Sequence, residues 1–161
     1  MNALISAFES LNKWMARLGG AILMMAAVIT FYDVSCRFLL NKPTDWALEI
    51  AQYSLLFGTM LGGAYAFRDD LYIRVDVITN LFPKAGQARF KLLGYAISFV
   101  SFAVLAWYSG KYTHFCFLKG WSQNTPLKTP MWLPLIIIPI GSIAMALQNL
   151  LLILKDIRKS S

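Results

Sequence analysis

Long apolar runs are the feature that most constrains how this chain folds. They cover 18–40, 46–67, 92–118 and 131–154. About 20 helical residues, each rising 1.5 Å, cross a hydrocarbon core about 30 Å thick. Charged residues make up only 14% of the chain, whereas soluble proteins have about 25%. The sequence therefore predicts an all-α membrane protein with four transmembrane helices in a single membrane domain, 1–161.

The chain is strongly basic, with a formal net charge of +7. Its Lys and Arg residues form no contiguous stripe, and no motif that reads nucleic acid accompanies them. They concentrate at the amino terminus, between the second and third runs, and at the carboxyl terminus. The positive-inside rule then predicts that both termini lie in the cytoplasm. We do not expect a nucleic-acid partner.

The segment before the first run has a helical pattern of its own. In 1–17, apolar residues fall on one helical face and charged residues lie off it. This pattern is typical of a helix in the membrane interface, where Trp14 would act as an anchor. We expect an amphipathic lead-in helix over 1–17, followed by a first span over 18–40.

A stretch rich in charged residues, GGAYAFRDDLYIRVDVI, covers 62–78, from the end of the second run onwards. Its charges could form a catalytic cluster, one face of a half-buried strand, or the polar face of a helix on the membrane surface. An open sheet edge cannot lie in hydrocarbon, whereas helical spacing pairs Asp70 with Arg74. We predict a cytoplasmic interfacial helix within 68–88. The charged residues that pin it there are Arg68, Asp70, Arg74 and Asp76.

Two ionisable residues lie inside the first run, towards its outer end. Asp33 and Arg37 are one helical turn apart, and an acid four residues before a base is a favourable helical pair. Ionisable groups at the centre of a span cost about 2.5–3.5 kcal/mol each on insertion scales, so they often mark function. The two residues are open to three interpretations: a structural ion pair, a contact with a partner subunit, or part of a transport pathway.

The start of the second run carries acids and a tryptophan. Asp45 and Glu49 fall in the first helical turn, where carboxylates favour the positive end of the helix dipole. Trp46 is suited to anchor the helix at the interface. The acids could serve helix capping, or Glu49 could reach Arg37 across the short hairpin.

Small residues recur along the same run. Gly58 and Gly62 form a GxxxG motif, and Ala66 extends the row. Close packing drives helix association in lipid, and small residues permit it. We expect this face to contact another helix.

Residue types that catalyse reactions or bind metals are sparse. The single histidine, His114, has no second His at ligand spacing, and Cys36 and Cys116 are isolated within apolar runs. No Ser/His/Asp order, P-loop or GxGxxG pattern occurs. The sequence predicts a chain that is not an enzyme and that has no catalytic, cofactor-binding or metal site.

Taken in order, several stretches resemble a known family. DVSCRFLL at the end of the first run, WALEI and GTMLGGAYAFR in the second, and then YIRVDVI are similar to the DctQ-like small membrane subunit of tripartite ATP-independent periplasmic (TRAP) transporters. The resemblance is strongest over 33–78 and weaker over 121–148. It departs at Tyr72, where relatives often have His.

The resemblance implies a non-enzymatic scaffold subunit in the bacterial inner membrane. Such a subunit pairs with a large membrane subunit that holds the substrate and Na⁺ sites, in a transporter for organic acids such as dicarboxylates or sialic acid. It also helps a periplasmic substrate-binding protein to dock. The outward loops near 41–45 and 118–131 would then be the docking surface.

Position by position, the resemblance also implies roles for several residues. Arg37, Trp46 and Glu49 would brace the outer hairpin between the first two spans. Arg74 and Asp76 would fix the cytoplasmic segment. No cofactor is expected in this chain, because Na⁺ would bind the large subunit.

Two other classes of protein compete with this interpretation. A self-sufficient four-helix exporter would normally need an acid deep in an early span, whereas Asp33 lies near the end of its span beside Arg37. A haem anchor or membrane redox enzyme would need more histidines or a C-x-x-C motif than the sequence offers.

Overall fold

The computed structural model describes residues 2–42, 44–67 and 84–160, with side chains over 7–42, 44–67 and 92–156. Across those ranges the chain is helical and has no β-strand, apart from an isolated bridge between Ser122 and Pro130. The helices are α1 (Asn2–Leu40), α2 (Ala47–Ala66), α3 (Lys84–Lys119), α4 (Trp132–Leu135) and α5 (Ile137–Ser160). The all-α prediction is confirmed for the described part of the chain.

Three helical segments are long and apolar enough to cross a membrane. They are Ala7–Leu40 within α1, Leu92–Lys119 within α3, and Trp132–Asp156, which joins α4 to α5. Helix α2 is 20 residues long but does not belong to that group. The chain is therefore multi-pass.

The amino-terminal helix is longer than a membrane is thick. α1 contains 39 residues, which at 1.5 Å per residue gives a rod about 58 Å long. The predicted lead-in over 1–17 and the predicted span over 18–40 are thus parts of one continuous helix, not two elements. Its C′ residue, Asn41, has a left-handed backbone with φ of 50°, a conformation that commonly ends helices.

The third helix begins earlier than predicted and ends at a defined motif. α3 starts at Lys84, inside the segment assigned above to an interfacial helix, 68–88. The rest of that segment lies outside the described residues. At its other end Gly120 has φ of 61°. The N–H groups of Gly120 and Trp121 bond the carbonyls of Phe117 and Cys116, which is a Schellman arrangement.

The last membrane segment is interrupted between α4 and α5. Pro139 has no N–H to donate to the carbonyl of Leu135, four residues earlier. The Thr113 hydroxyl of α3 lies 3.4 Å from that carbonyl oxygen, while it also bonds its own helix at Ser109 O, 2.8 Å away. A neighbouring helix therefore compensates for the proline break.

The helices pack in series, α1 on α2, α2 on α5 and α5 on α3. The contact between α1 and α2 is backbone to backbone. A Cβ added at Gly19 would lie 2.7 Å from the carbonyl oxygen of Gly58 and 3.2 Å from the nitrogen of Gly62. No side chain fits in that space, so the approach requires glycine at Gly19.

The contact between α2 and α5 is equally close. A Cβ at Gly63 would lie 1.7 Å from Met145 Cε, and one at Gly141 would lie 2.9 Å from the carbonyl oxygen of Met60. The most buried apolar cluster forms here, around Ala64 and Met145. α2 is therefore held on two sides by helices that reach its backbone.

The helix at the other edge of the series, α3, is largely exposed over 92–119, the part whose side chains the structure describes. In its most apolar window only 6% of residues are buried. Its exposed apolar side chains include Leu93, Ile97, Val100, Val104, Trp107 and Tyr108. Such a continuous apolar surface suits lipid or another membrane protein.

Replacing Gly19 by Ala should destabilise the protein by about 1–3 kcal/mol, because the new methyl group overlaps the α2 backbone. The matched control is Gly20→Ala, whose Cβ meets nothing within 4 Å and which should leave stability unchanged or raise it by up to about 1 kcal/mol, because alanine favours helix. Thermal unfolding in detergent micelles measures both variants. Equal effects of the two substitutions would contradict the close contact.

Candidate functional site

Two connections meet at one end of the protein, which we call the hairpin end. One is the turn 41–46 between α1 and α2, and the other is the loop 120–131 between α3 and α4. They are neighbours because Glu49, in the first turn of α2, faces the loop. The polar residues predicted to matter in the first two spans lie mostly here.

Asp33 organises the turn between α1 and α2. Its side chain is largely buried, with the residue 7% exposed. It accepts hydrogen bonds from Arg37 Nη2 at 2.7 Å, from the Thr44 backbone N–H at 3.1 Å, and from the Thr44 hydroxyl. The carboxylate therefore ties the end of α1 to the chain that enters α2. Thr44 was not singled out in the sequence.

Trp46 makes the second link across this turn. Its ring lies 6.3 Å from the ring of Tyr32 in α1, with the two planes 29° apart. Trp46 is the N-cap residue of α2 and makes no side-chain capping hydrogen bond, and Asp45 is exposed. The structure therefore shows no capping bond for Asp45, the role that helix dipole arguments favoured.

The alternative link between Arg37 and Glu49 does not occur in the structure. Arg37 pairs with Asp33 and its side chain is 60% exposed. Glu49 instead accepts a hydrogen bond from the Tyr53 hydroxyl, one turn along α2. Each residue therefore bonds within its own helix, Arg37 to Asp33 in α1 and Glu49 to Tyr53 in α2.

Glu49 lies in the most polar buried environment of this end. It is 4% exposed, and Thr125, Thr129 and the backbone N–H of Leu127 surround its carboxylate. Its Oε2 and the Thr125 hydroxyl are both buried, and neither makes a hydrogen bond of standard geometry. The hydrogen bond that the structure gives this carboxylate comes from Tyr53, and no salt bridge to it occurs among the described residues.

The GxxxG residues lie on the α1 side of α2, and the two differ in their surroundings. A Cβ at Gly58 would lie 2.5 Å from Leu23 Cγ and 3.0 Å from Gly19 O, whereas one at Gly62 would meet nothing within 4 Å. Gly58 is therefore the position in this motif where a side chain would collide. The remaining candidates, Arg68, Asp70, Arg74 and Asp76, lie outside the described residues.

Sequence reasoning missed a buried amide cluster at the opposite end, which we call the terminal end. Asn12 Nδ2 donates to Gln148 Oε1 at 3.0 Å, and both residues are at most 2% exposed. Asn149 is also fully buried and donates to Met145 O. Gln148 and Asn149 interrupt an apolar span, which is the sequence signal that could have revealed the cluster.

An ion pair lies beside the amide cluster. Lys155 Nζ in α5 is 2.9 Å from Glu9 Oε1 in α1. Together with the amides it joins the first and last helices, which otherwise contact each other little. The terminal end is therefore fastened by polar side chains, as the hairpin end is.

Exposed charge at the hairpin end is predominantly positive. The exposed basic side chains are Arg37, Lys42, Lys119 and Lys128, and Asp45 is the exposed acid. Among the described residues no group of three His, Cys, Asp or Glu side chains could hold a metal. The buried carboxylates of this end, Asp33 and Glu49, already accept hydrogen bonds within the chain.

These features define a multi-pass helical membrane protein whose polar groups fasten helices and loops together. The chain belongs to the family described as tripartite ATP-independent periplasmic transporters, DctQ component, whose profile matches residues 11–159. The resemblance noted in the sequence is thereby confirmed. The family is a non-enzymatic membrane component of transporters, so the protein is a multi-pass protein of the inner membrane and not an enzyme.

Curated relatives carry the same designation. A TRAP transporter small permease protein of Haemophilus influenzae is 29% identical over 83 residues, 52% of each chain. The C4-dicarboxylate TRAP transporter small permease protein DctQ of Vibrio cholerae is 25% identical over 104 residues, 64% of this chain and 45% of the relative. The chain spans about half the length of these relatives.

A third relative is much longer. The sialic acid TRAP transporter permease protein SiaT of Haemophilus influenzae is 28% identical over 74 residues. That match covers 46% of this chain but 12% of the relative. The similar segment is thus a small part of a large permease.

Asp33→Ala should destabilise the protein by about 1–3 kcal/mol, because it leaves the partly buried Thr44 N–H without its acceptor. Arg37→Ala should cost about 0–1 kcal/mol, since its partner keeps the Thr44 bonds and the Arg37 side chain is mostly exposed. Thermal unfolding of both purified variants in detergent tests this order. A larger loss for Arg37→Ala would show that the ion pair, and not the turn, is the main contribution of Asp33.

The amide pair can be measured with a double-mutant cycle. Substituting Asn12 and Gln148 by Ala, singly and together, should give a coupling free energy of about 0.6 kcal/mol, with about 1.7 kcal/mol as the upper end for such bonds in membranes. The control cycle pairs Asn12 with Gln52, an exposed residue of α2, and should give no coupling. Reversible unfolding in mixed micelles supplies the free energies. Zero coupling in both cycles would contradict the hydrogen bond.

Proposed function

We propose that this chain is the small scaffold subunit of a Na⁺-coupled, binding-protein-dependent secondary transporter for organic acids. The family match over residues 11–159 carries the proposal. The printed names of two relatives refer to C4-dicarboxylates and to sialic acid, both of which are carboxylates. An organic acid is therefore the substrate class that these relatives support.

The proposed main partner is a large membrane subunit. The match to SiaT supports this pairing, because a segment similar to this chain forms 12% of a much longer permease. The exposed apolar face of α3 supplies a surface of the kind that such a partner would cover. We assign the Na⁺ and substrate sites to that partner, since Asp33 and Glu49 are already engaged by donors within this chain.

We propose that α2 also crosses the membrane, giving four spans with both termini in the cytoplasm. A helix of 20 residues is about 30 Å long, which matches the hydrocarbon core. Its position between α1 and α5, both of which cross the membrane, also supports this proposal. The hairpin end then faces the periplasm.

The hairpin end is the proposed docking surface for the periplasmic substrate-binding protein. Trp121 and Leu127 are exposed on the loop 120–131, together with Lys128. Exposed aromatic and aliphatic side chains beside charged ones are typical of protein interfaces. This assignment retains the loops that the sequence indicated, 41–45 and 118–131.

Purification of the tagged chain from native membranes tests the proposal. We expect a stable complex with a large multi-span protein, which, after reconstitution, takes up succinate or sialic acid only with a Na⁺ gradient and the binding protein present. Liposomes that contain the tagged chain alone are the control and should show no uptake. Uptake by the chain alone would identify a self-sufficient carrier or exporter and contradict the scaffold role.

A further inference from the structure

An apolar groove runs along the seam between α3 and the segment formed by α4 and α5, and we call it the α3 groove. It contains two cavities, of about 350 and 340 Å³. On α3 the cavities are lined by Ala103, Ala106, Trp107, Gly110, His114 and Phe117. Each of these positions is three or four residues from another, so all six lie on one face of the helix. The opposite wall includes Trp132 and Pro139 at one cavity and Ile143 and Ala146 at the other. Over 103–117 the groove extends for about 21 Å, or about four helical turns.

Small residues keep the α3 groove open. Ala106 and Gly110 are four residues apart on α3, and Ala146 lines the same cavity as Ala106 from α5. Outside its own helix, a Cβ added at Gly110 would meet only Pro139 Cβ, at 3.9 Å, so the packing of this chain does not require glycine there. Gly19 is different, because its Cβ would overlap the α2 backbone. Small residues four positions apart let a second membrane helix come close.

A cation lies beside the groove without an acid to pair with. Lys111 Nζ is 4.8 Å from the centroid of the Trp107 ring, and Trp107 lines the groove. None of the ion pairs that join described residues includes Lys111. An aromatic face attracts a cation but does not cancel its charge, and an ammonium group within a membrane segment is costly without a partner. The charge of Lys111 therefore favours a partner that brings a carboxylate over one that is only apolar.

The depth of Lys111 favours a protein helix over a lipid headgroup. The membrane segment of α3 ends at Lys119, eight residues after Lys111, which places Lys111 about 12 Å before the end of the helix. A lysine that snorkels extends towards water, whereas the ammonium of Lys111 lies over Trp107, one turn further from that end. Lipid phosphates lie outside the hydrocarbon core. A carboxylate carried by a membrane helix fits this depth better.

We propose that the α3 groove is the contact site for a membrane-spanning helix of the large subunit, and that this helix places an Asp or Glu carboxylate beside Lys111. The identity of the partner rests on the proposed function, which the family match and the segment shared with a longer permease support. Trp107, with 63% of its surface exposed, lies where that helix would cover it. Large exposed aromatic side chains of this kind often dominate the binding energy of an interface.

Co-expression with a tagged large subunit tests the groove, with the amount of co-purified chain as the measurement. Gly110→Leu places a large side chain in the groove and should lower that amount about tenfold, because the partner helix loses its close approach. The matched control is Ser101→Leu. Ser101 is exposed and nine residues before Gly110, which puts it on the opposite face of α3. This control should stay within about twofold of the native amount.

A smaller substitution keeps the test decisive if Gly110→Leu folds poorly. The methyl group of Gly110→Ala would be in ordinary contact with Pro139, so thermal unfolding of the chain alone should match that of the native chain. Its co-purification should nevertheless fall about threefold. Native amounts of complex with both Gly110 variants would overturn the groove as the contact site.

The charge is tested in the same assay. Lys111→Gln should lower the co-purified amount about tenfold, because a partner carboxylate would be buried without its cation. Lys111→Arg keeps the charge and should stay within about threefold. Lys119→Gln removes a lysine at the end of α3 and serves as the control, with an expected change within about twofold. Equal recovery of Lys111→Gln and native chain would overturn the ion pair.

Photo-crosslinking identifies what occupies the groove. A photoreactive benzophenone amino acid replaces Trp107 in one preparation and Ser101 in another, and mass spectrometry analyses the adducts formed in native membranes. We expect a peptide from a membrane-spanning helix of the large subunit at position 107 and lipid at position 101. Lipid at position 107, in a chain that still co-purifies with the large subunit, would overturn the groove assignment and leave the proposed function intact. If the native chain recovers no large subunit, the proposed function fails, and the groove assignment fails with it.

Discussion

The close approach of α2 to both of its neighbours is the contact on which the rest of the structure depends. Lipid gives apolar helices little reason to associate, so association relies on close packing and hydrogen bonds. Gly19 and Gly141 let α1 and α5 reach the backbone of α2, at Gly58 and Met60 respectively. Because α2 is held in this way, its first turn lies beside the loop 120–131, and the faces of α1 and α3 that point away from it remain uncovered. A component of a larger transporter needs both features, a rigid centre and free apolar faces.

Polar groups fasten the two ends of this glycine-packed centre. At the hairpin end, Asp33 holds the turn through Thr44 and Glu49 faces the loop. At the terminal end, Asn12 bonds Gln148 and Lys155 pairs with Glu9. Within a membrane, a buried polar group that lacks a partner is costly, so each such pair also penalises alternative arrangements of the helices. The buried carboxylates of the first two helices, Asp33 and Glu49, thus accept hydrogen bonds from groups of the same chain.

The sequence predicted much of this protein, and its errors have physical causes. Run length and composition predicted an all-helical, multi-pass chain, and the order of short stretches identified the family. Helical spacing also places Asp33 beside Arg37, because a separation of four residues fixes proximity within one helix. Contacts between helices were harder to predict from the sequence. The Glu49 to Arg37 link was wrong as an alternative because helix rotation, which the sequence does not specify, turns Glu49 towards the loop. The hydrogen bond between Asn12 and Gln148 was overlooked, because no local sequence pattern links two residues that are 136 positions apart.

The sequence by itself determined the class of protein, since hydropathy and helix length depend on residues near one another along the chain. It also determined where positive charge lies and which spans carry glycine. The tertiary structure decided which glycines leave no room for a side chain, since a Cβ at Gly58 would collide with α1 and one at Gly62 would not. It also decided that Tyr53, and not an arginine, donates to Glu49. These contacts depend on how each helix is rotated about its axis and how it is shifted along that axis. Packing over the full length of the helices sets both, so they are decided only in the assembled fold.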